Sequence, residues 1–290
     1  MKTAARRLRE LLAQPELVVA PGAWDALTAR LVEQAGFPAV YMTGAGTSLA
    51  RGFPDFGLLG MSEMVENAAV LARSIGVPLL SDADTGYGNE LNVTRTVREF
   101  EARGVAGIHI EDQQSPKRCG HLDGKEIIAA SEYVAKIRAA VAARRDPDFV
   151  VIARTDSRAV AGFDEAVARA NAALAAGADV AFVEAVETTE ELAQVPKRVS
   201  GPCLLNVVPG GKTPPVSLAD AQSLGYRIAI LPGLLLGTVM AAGDRALRAL
   251  RETGAPPAAA APGSAPLELF RRFGADEWNA LRRRFADEGK

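Results

Sequence analysis

Short runs of branched aliphatic residues alternate along this chain with longer alanine-rich stretches whose apolar positions recur every three or four residues. An unbroken or period-two apolar run marks a strand, and a period near 3.6 marks a helix. Strands are therefore expected near residues 17–20, 39–42, 78–81, 107–110, 149–153, 180–183, 203–207 and 227–231. Helices are expected near 24–35, 62–75, 92–103, 131–144, 164–176, 188–198, 217–224 and 234–253. Gly36, Gly76, Gly104, Gly177 and Gly225 follow helical stretches, where a left-handed residue commonly ends a helix. Strand and helix units repeated in this way over residues 1–253 predict an α/β fold, a closed (β/α)8 TIM-type barrel rather than an open sheet.

Beyond the barrel the pattern changes. Residues 254–266 are rich in Pro, Ala and Gly and read as a linker. Residues 267–290 carry Leu267, Leu269, Phe270, Phe273, Trp278, Leu281 and Phe285 at helical spacing, a C-terminal helical extension. Its aromatic surface needs cover, from its own barrel or from a neighbouring subunit. Arg282 to Arg284 read as its solvated face.

Composition narrows the class of partner. The 290 residues are 48% hydrophobic, enough for a sizeable core. A formal charge of −2, from 33 basic and 35 acidic residues, offers no bulk attraction to nucleic acid or to an anionic membrane, which leaves small metabolites. No apolar run approaches the roughly 18 residues of a membrane span. The N-terminal MKTAARRLRELLAQ has leucines at helical spacing among basic residues but lacks the apolar core of a signal peptide. Two cysteines, Cys119 and Cys203, imply no disulfide framework and suit a reducing cytoplasm.

A barrel builds its site at the C-terminal ends of its strands. Those ends here carry Tyr41-Met42-Thr43-Gly44, Asp82 and Asp84, Glu111-Asp112-Gln113, Arg154-Thr155-Asp156, Glu184 and Asn206. In SDADTGYGN, Ser81 to Asn89, strand alternation would put Asp82 and Asp84 on one face. Paired carboxylates are costly to bury unless a cation lies between them, and hard oxygen donors point to Mg²⁺ or Mn²⁺ before zinc. The alternative is that both aspartates serve as turn and capping residues for the helix near Asn92. The loop QQSPKRCGHLDGK, Gln113 to Lys125, is long, polar and glycine-containing, as suits a lid. Positive charge from Lys117, Arg118 and His121 is expected to lower the pKa of Cys119, unless the loop is simply a basic surface segment. A zinc site would need more than the two cysteines and two histidines present. His109, inside the fourth strand, is expected to be a packed core histidine.

SDADTGYGN, HIEDQ (109–113), PKRCGH (116–121), ARTD (153–156) and NVVPGGKTP (206–214), in that order, resemble the isocitrate lyase/phosphoenolpyruvate mutase superfamily over about residues 5–250. The likeness is to its short members, the 2-methylisocitrate lyases, 2,3-dimethylmalate lyases and carboxyphosphonoenolpyruvate phosphonomutases. It implies a barrel whose last helix is swapped between subunits of a dimer within a tetramer. It implies Mg²⁺ at Asp82, Asp84 and Glu111, partly through water. Thr43, Gly44 and Ala45 would hold a substrate carboxylate, with Ala45 departing from the glycine of the methylisocitrate lyases. Tyr41 and Asp55 match site positions, and Arg154 matches the arginine that grips the keto-acid end. Cys119 falls on the lyases' catalytic cysteine, with Lys117, Gly120 and His121 in its lid, while Glu184 and Asn206 match second-carboxylate and support positions.

The implied reaction is Mg²⁺-dependent cleavage of a 2-hydroxy di- or tricarboxylate into pyruvate or a related 2-keto acid and a carboxylate. Tyr41 or a metal-bound group would be the base, and Cys119 the acid. A phosphonomutase and an oxaloacetate decarboxylase or hydrolase are the alternatives within the superfamily. A catalytically silent barrel serving assembly is the alternative outside it. The segment Leu231 to Gly237 is apolar where 2-methylisocitrate lyases tend to carry serine and arginine. If it faces the substrate tail, an alkyl-substituted malate is expected to be preferred over methylisocitrate; otherwise these leucines only begin the eighth helix.

Overall fold

The computed structural model describes residues 2–255 and 265–287, so most of the expected linker lies outside the described residues. Eight strands, β1 (Val18–Ala23), β2 (Val40–Met42), β3 (Leu79–Asp82), β4 (Gly107–Glu111), β5 (Val150–Thr155), β6 (Val180–Val183), β7 (Cys203–Asn206) and β8 (Ile228–Leu231), close in sequence order into a barrel. Neighbours pair in parallel, and Val18 against Ile228 shuts the ring. All eight lie within a few residues of the expected runs. The largest shift is in β1, which continues through Pro21 and Gly22 as it pairs with both β8 and β2. Gly22 is required there by close approach, since a Cβ would stand 2.6 Å from the Pro232 backbone.

The helices in chain order are α1 (Ala4–Leu12), α2 (Ala26–Gln34), α3 (Gly44–Ala50), α4 (Met61–Ser74), α5 (Glu90–Ala102), α6 (Ala130–Ala143), α7 (Arg158–Ala161), α8 (Phe163–Ala175), α9 (Thr189–Arg198), α10 (Leu218–Leu224) and α11 (Leu234–Thr253). The short α3 and α7 were not expected, because GAGTSLA and RAVA are too short to show a period. The left-handed glycines appear at Gly36, Gly104, Gly177 and Gly225. Gly76 is the exception. The cap of α4, Ile75, is already extended at φ −126°, and the Gly76 amide donates instead to the Glu33 carboxylate.

Alternation along the strands sorts the side chains into two sets. Val18, Ala20, Leu80, Val150, Ile152, Val180, Phe182, Leu204, Ile228 and Ile230 fill the barrel with Tyr41, and Leu8 of α1 packs into the same cluster. The residues between them, such as Ile108, Ile110, Val151 and Ala153, pack outward with residues of the surrounding helices. On several strands the inward series changes from apolar to polar toward the C-terminal end: Leu80 to Asp82, Ile152 to Arg154, Phe182 to Glu184, Leu204 to Asn206. That change makes one mouth of the barrel polar.

The chain divides into two compact units, Met1–Gly237 and Thr238–Lys290. The boundary between them falls inside α11. Within the second, α12 (Pro266–Arg272) and α13 (Ala275–Asp287) follow one another through a left-handed Gly274. Leu267, Phe270, Trp278 (71% exposed) and Phe285 of this unit are exposed. No helix among the described residues is long and apolar enough to cross a membrane.

Candidate active site

At the polar mouth lies a cavity of about 220 Å³ lined by Tyr41, Thr43, Ala45, Asp55, Asp82, Cys119, Gly120, His121, Arg154, Glu184 and Asn206, with Val208, Pro232, Gly233 and Leu236. Of the residues to which the family resemblance gave a role, Gly44, Asp84, Glu111 and Lys117 are absent from this wall, and each touches a residue on it. Gly44 packs so tightly on Asp82 that a Cβ would overlap the carboxylate. Glu111 Oε2 lies 3.2 Å from Arg154 Nη1. Lys117 pairs with Asp55 and, at 3.0 Å, with Asp84.

Two sequence expectations about the aspartates are revised. Strand β3 ends at Asp82, and Asp84 sits beyond it with a left-handed φ of +45°, so turn geometry places Asp84 and alternation does not. Neither aspartate caps α5; Asn89 does so, accepting from the amides of Leu91 and Asn92. Both carboxylates are buried, and the Asp84 amide donates to Asp82 Oδ1 at 2.9 Å. Burial opposes ionisation of Asp82, but His109, Lys117 and Arg154 hold its pKa down to about 2. Burial dominates at Asp84 and raises it to about 6 despite Lys117. Lys117 stays charged: burial opposes this, and Asp84, Asp82, Asp55 and Glu111 together outweigh it.

These donors bear on whether a metal ion fits the mouth. Neither oxygen of Glu111 accepts a hydrogen bond from a described residue, and burial raises its pKa far above the carboxylate range against the pull of Arg154. Glu111 Oε2 has only the ion pair with Arg154, and a buried carboxylate so poorly supplied with donors suits a hard divalent cation. Yet no three His, Cys, Asp or Glu among the described residues gather closely enough to enclose an ion. The set fits a cation only if the ion keeps several waters, as Mg²⁺ does.

The other walls are built on short elements. Thr43 caps α3, accepting from the Gly46 amide at 3.3 Å, and Gly44 and Ala45 open the helix, where amides lack intrahelical acceptors. On the far side Arg154 is gripped by Asp156 and lies over the Phe182 ring at 5.2 Å. Outside the barrel wall, Asp112 accepts from Thr155 Oγ1 at 2.6 Å, the Asp156 amide at 2.7 Å and Arg169 Nη1 at 3.1 Å, bracing that strand end.

The flap carries the largest correction. Burial raises the Cys119 thiol pKa instead of lowering it. The cations expected to depress it face elsewhere: Lys117 binds Asp55 and Asp84, and Arg118 lies over the Phe56 ring at 5.9 Å. His121 is held by the loop after β7, its Nδ1 accepting from the Lys212 amide at 3.0 Å while Nε2 lies 3.4 Å from Glu184 Oε1. Lys212 Nζ also meets Asp123 at 2.6 Å.

His109 is packed in the barrel core as expected, against the Tyr41 and Phe182 rings, and it also makes polar contacts. Its Nε2 lies 2.8 Å from the Tyr41 hydroxyl and 3.5 Å from Asp82 Oδ1, and burial lowers its pKa to about 4. The spacing held the signal: His109 and Glu111, two apart in β4, must share a face. Asp156 was named only as a strand-end residue and Lys125 only as the end of the loop; their roles rest on partners, Arg154 and the Gly120 carbonyl, that are fixed only by the fold.

The model of the family described as phosphoenolpyruvate phosphomutase matches residues 8–251 of this chain. The chain belongs to that family. Among curated relatives of this phosphoenolpyruvate phosphomutase family member, 2,3-dimethylmalate lyase of Eubacterium barkeri is 51% identical over 80% of each chain. A 2-methylisocitrate lyase of Aeropyrum pernix is 43% identical over 85% of this chain and 80% of its own. A crystal structure of 2,3-dimethylmalate lyase, described as a PEP mutase/isocitrate lyase superfamily member, superposes with a TM-score of 0.92 at 44% identity, covering 98% of this chain and 96% of its own. Oxaloacetate acetylhydrolase with 3,3-difluorooxalacetate gives 0.94 at 39% identity, over 98% and 97%. Phosphonopyruvate hydrolase with oxalate and Mg²⁺ gives 0.89 at 32%, over 98% and 100%. With lyases at this level of identity, the family member is an enzyme of the carbon–carbon lyase class.

Proposed function

We propose that the protein cleaves the C2–C3 bond of an alkyl-substituted malate, releasing a 2-keto acid and a carboxylate, in a Mg²⁺-dependent reaction. The carrying observation is one cavity that sets Arg154 and the opening turn of α3 with the thiol of Cys119 and the apolar side chains of Val208, Pro232 and Leu236. Arg154 and the amides near Gly44 and Ala45 suit the two oxygens of a keto-acid carboxylate. An alkyl group fits the apolar side, where a third carboxylate would lose its hydration without a cationic partner.

Chemistry follows from the protonation states. The substrate hydroxyl gives its proton to Tyr41 Oη, which passes its own along the hydrogen bond to His109 Nε2 at 2.8 Å. As the C2 oxygen becomes a ketone, the C2–C3 bond breaks and its electron pair moves to C3 as a carboxylate enolate. The Cys119 thiol protonates C3, a role its raised pKa suits because the thiol keeps its proton until the carbanion forms. His121 and the glycine at 120 pack the flap on Glu184 and Arg154, which excludes water from the enolate. Asp82, Asp84 and Glu111 would hold Mg²⁺ or Mn²⁺, partly through water, and the ion would supply Lewis-acid stabilisation to the C2 oxygen. The Mg²⁺ in the phosphonopyruvate hydrolase complex supports this choice.

The exposed Leu267, Phe270, Trp278 and Phe285 support a homo-oligomer in which residues 267–290 cover a neighbouring subunit, joined to a 1–253 barrel by the 254–266 linker. The free cysteines at 119 and 203 suit a reducing, cytoplasmic setting. The direct test is a pyruvate assay coupled to lactate dehydrogenase, with Mg²⁺, over substituted malates, citrates and oxaloacetate. Pyruvate from 2,3-dimethylmalate in preference to 2-methylisocitrate is expected. Preference for the tricarboxylate, or turnover of oxaloacetate alone, overturns the proposal.

A further inference from the structure

Lys125 ends the flap and takes no place on the cavity wall, yet its side chain is only 1% exposed. The ammonium donates to two acceptors, the Gly120 carbonyl and Asp156 Oδ1, the latter at 3.1 Å. The first acceptor belongs to the residue after Cys119. The second belongs to the carboxylate that fixes Arg154, and the same Oδ1 also takes Arg154 Nη2 at 3.2 Å. Gly120 presses on the same guanidinium: a Cβ on it would stand 2.5 Å from Arg154 Nη2. Arg154 is shared among Asp156, Glu111 and Glu184, so a second cation balances the charge here, but charge balance does not require that cation to reach across to the flap backbone as Lys125 does.

We propose that Lys125 is a positioning residue that makes flap closure and the orientation of Arg154 one event. Only with the flap down does the buried ammonium have both acceptors. An open flap would leave it with Asp156 alone, in competition with the guanidinium for Oδ1. Substrate held by Arg154 therefore favours the closed flap, and the closed flap brings the Cys119 thiol to C3 while Arg154 is in register. The proposal rests on the lyase assignment for the chemistry but not for the coupling.

The test uses the full-length protein with Lys125→Met, Lys125→Gln and Lys125→Arg. Two quantities are read: kcat and KM on a malate the wild type cleaves, and iodoacetamide labelling of the Cys119 peptide, by mass spectrometry, with and without oxalate and Mg²⁺. Misplacing a reacting group by about 1 Å costs on the order of 100-fold in rate, so kcat of Lys125→Met should fall by about that factor with KM changed far less. Oxalate should protect Cys119 in the wild type and fail to do so in Lys125→Met, and Lys125→Arg, which keeps the charge, should recover part of both. If Lys125→Met fails to fold, Lys125→Gln, whose amide reaches one acceptor at a time, is read in its place. Unchanged kcat with intact protection overturns the coupling, as does a rise in KM alone. Should the wild type cleave none of the malates, the lyase assignment falls while the labelling still decides the role of Lys125.

Discussion

Arg154 is held by Asp156 through two hydrogen bonds, Nε to Oδ2 at 2.9 Å and Nη2 to Oδ1 at 3.2 Å. The fork fixes the plane of the guanidinium. Arg154 and Lys125, against the cost of burial, hold Asp156 ionised. Asp156→Asn keeps one acceptor and loses the charge. Breaking a buried pair from one side costs about 3–5 kcal/mol, so a matching loss of unfolding free energy in urea is expected. A higher KM in steady-state assays should accompany it, because the guanidinium can then turn toward Glu111 or Glu184.

Cys119→Ala removes the proposed acid while leaving the Arg154 side of the cavity intact. Loss of a positioned acid costs about 100- to 10,000-fold in rate, so kcat should fall into that range. Oxalate affinity, measured by calorimetry with Mg²⁺, should stay close to that of the wild type. A variant that keeps full turnover would remove Cys119 from the chemistry.

The direction of the Cys119 shift sets a pH dependence. Burial raises the thiol pKa, so the protonated, acid-competent form persists above the ordinary thiol value of about 8.5 and is lost only as pH climbs through the raised value. The alkaline limb of kcat/KM should accordingly lie above that value, and alkylation by iodoacetamide near pH 7 should be slow. Rapid alkylation near neutrality would mean a thiolate and would assign the cysteine a different role.

Gly44→Ala places a methyl group on the Asp82 carboxylate. Disturbing a residue that supports a metal ligand typically costs about 10- to 100-fold in affinity. A loss of that size in the Mg²⁺ concentration dependence of activity is expected, with little change in melting temperature.

Gly211→Ala tests the catch on the flap. A Cβ there would lie 2.7 Å from His121 Nδ1, which now accepts the Lys212 amide. Displacing His121 should release the flap, seen as faster tryptic cleavage at Lys117 or Arg118 in the presence of oxalate. Unaltered cleavage would show that the Lys212 contact does not hold the flap.

Most of the barrel was legible because its signals are local. Strand runs and helical periods are properties of neighbouring residues, and the rule that strand ends form the mouth brought Tyr41, Asp82, Glu111, Arg154, Glu184 and Asn206 together before any distance was known. The resemblance carried by PKRCGH and SDADTGYGN supplied roles for Cys119, Asp55 and Thr43 that periodicity does not. What failed was inference from sequence neighbours to electrostatics. Lys117 and Arg118 stand beside Cys119 in the chain, but their side chains leave it for Asp55, Asp84 and Phe56. Likewise Asp84 follows Asp82 by two residues, yet a left-handed turn rather than the strand places it.

The sequence by itself determined the succession of strands and helices, the polarity of one mouth and the family, because hydrophobic period and short motifs are written in adjacent residues. Tertiary structure alone decided which polar groups meet: Lys117 with Asp55 and Asp84, Lys125 with Asp156, His109 with Tyr41. Such pairings, and the protonation states they set, depend on through-space distance and loss of water between residues tens of positions apart, which no local pattern encodes.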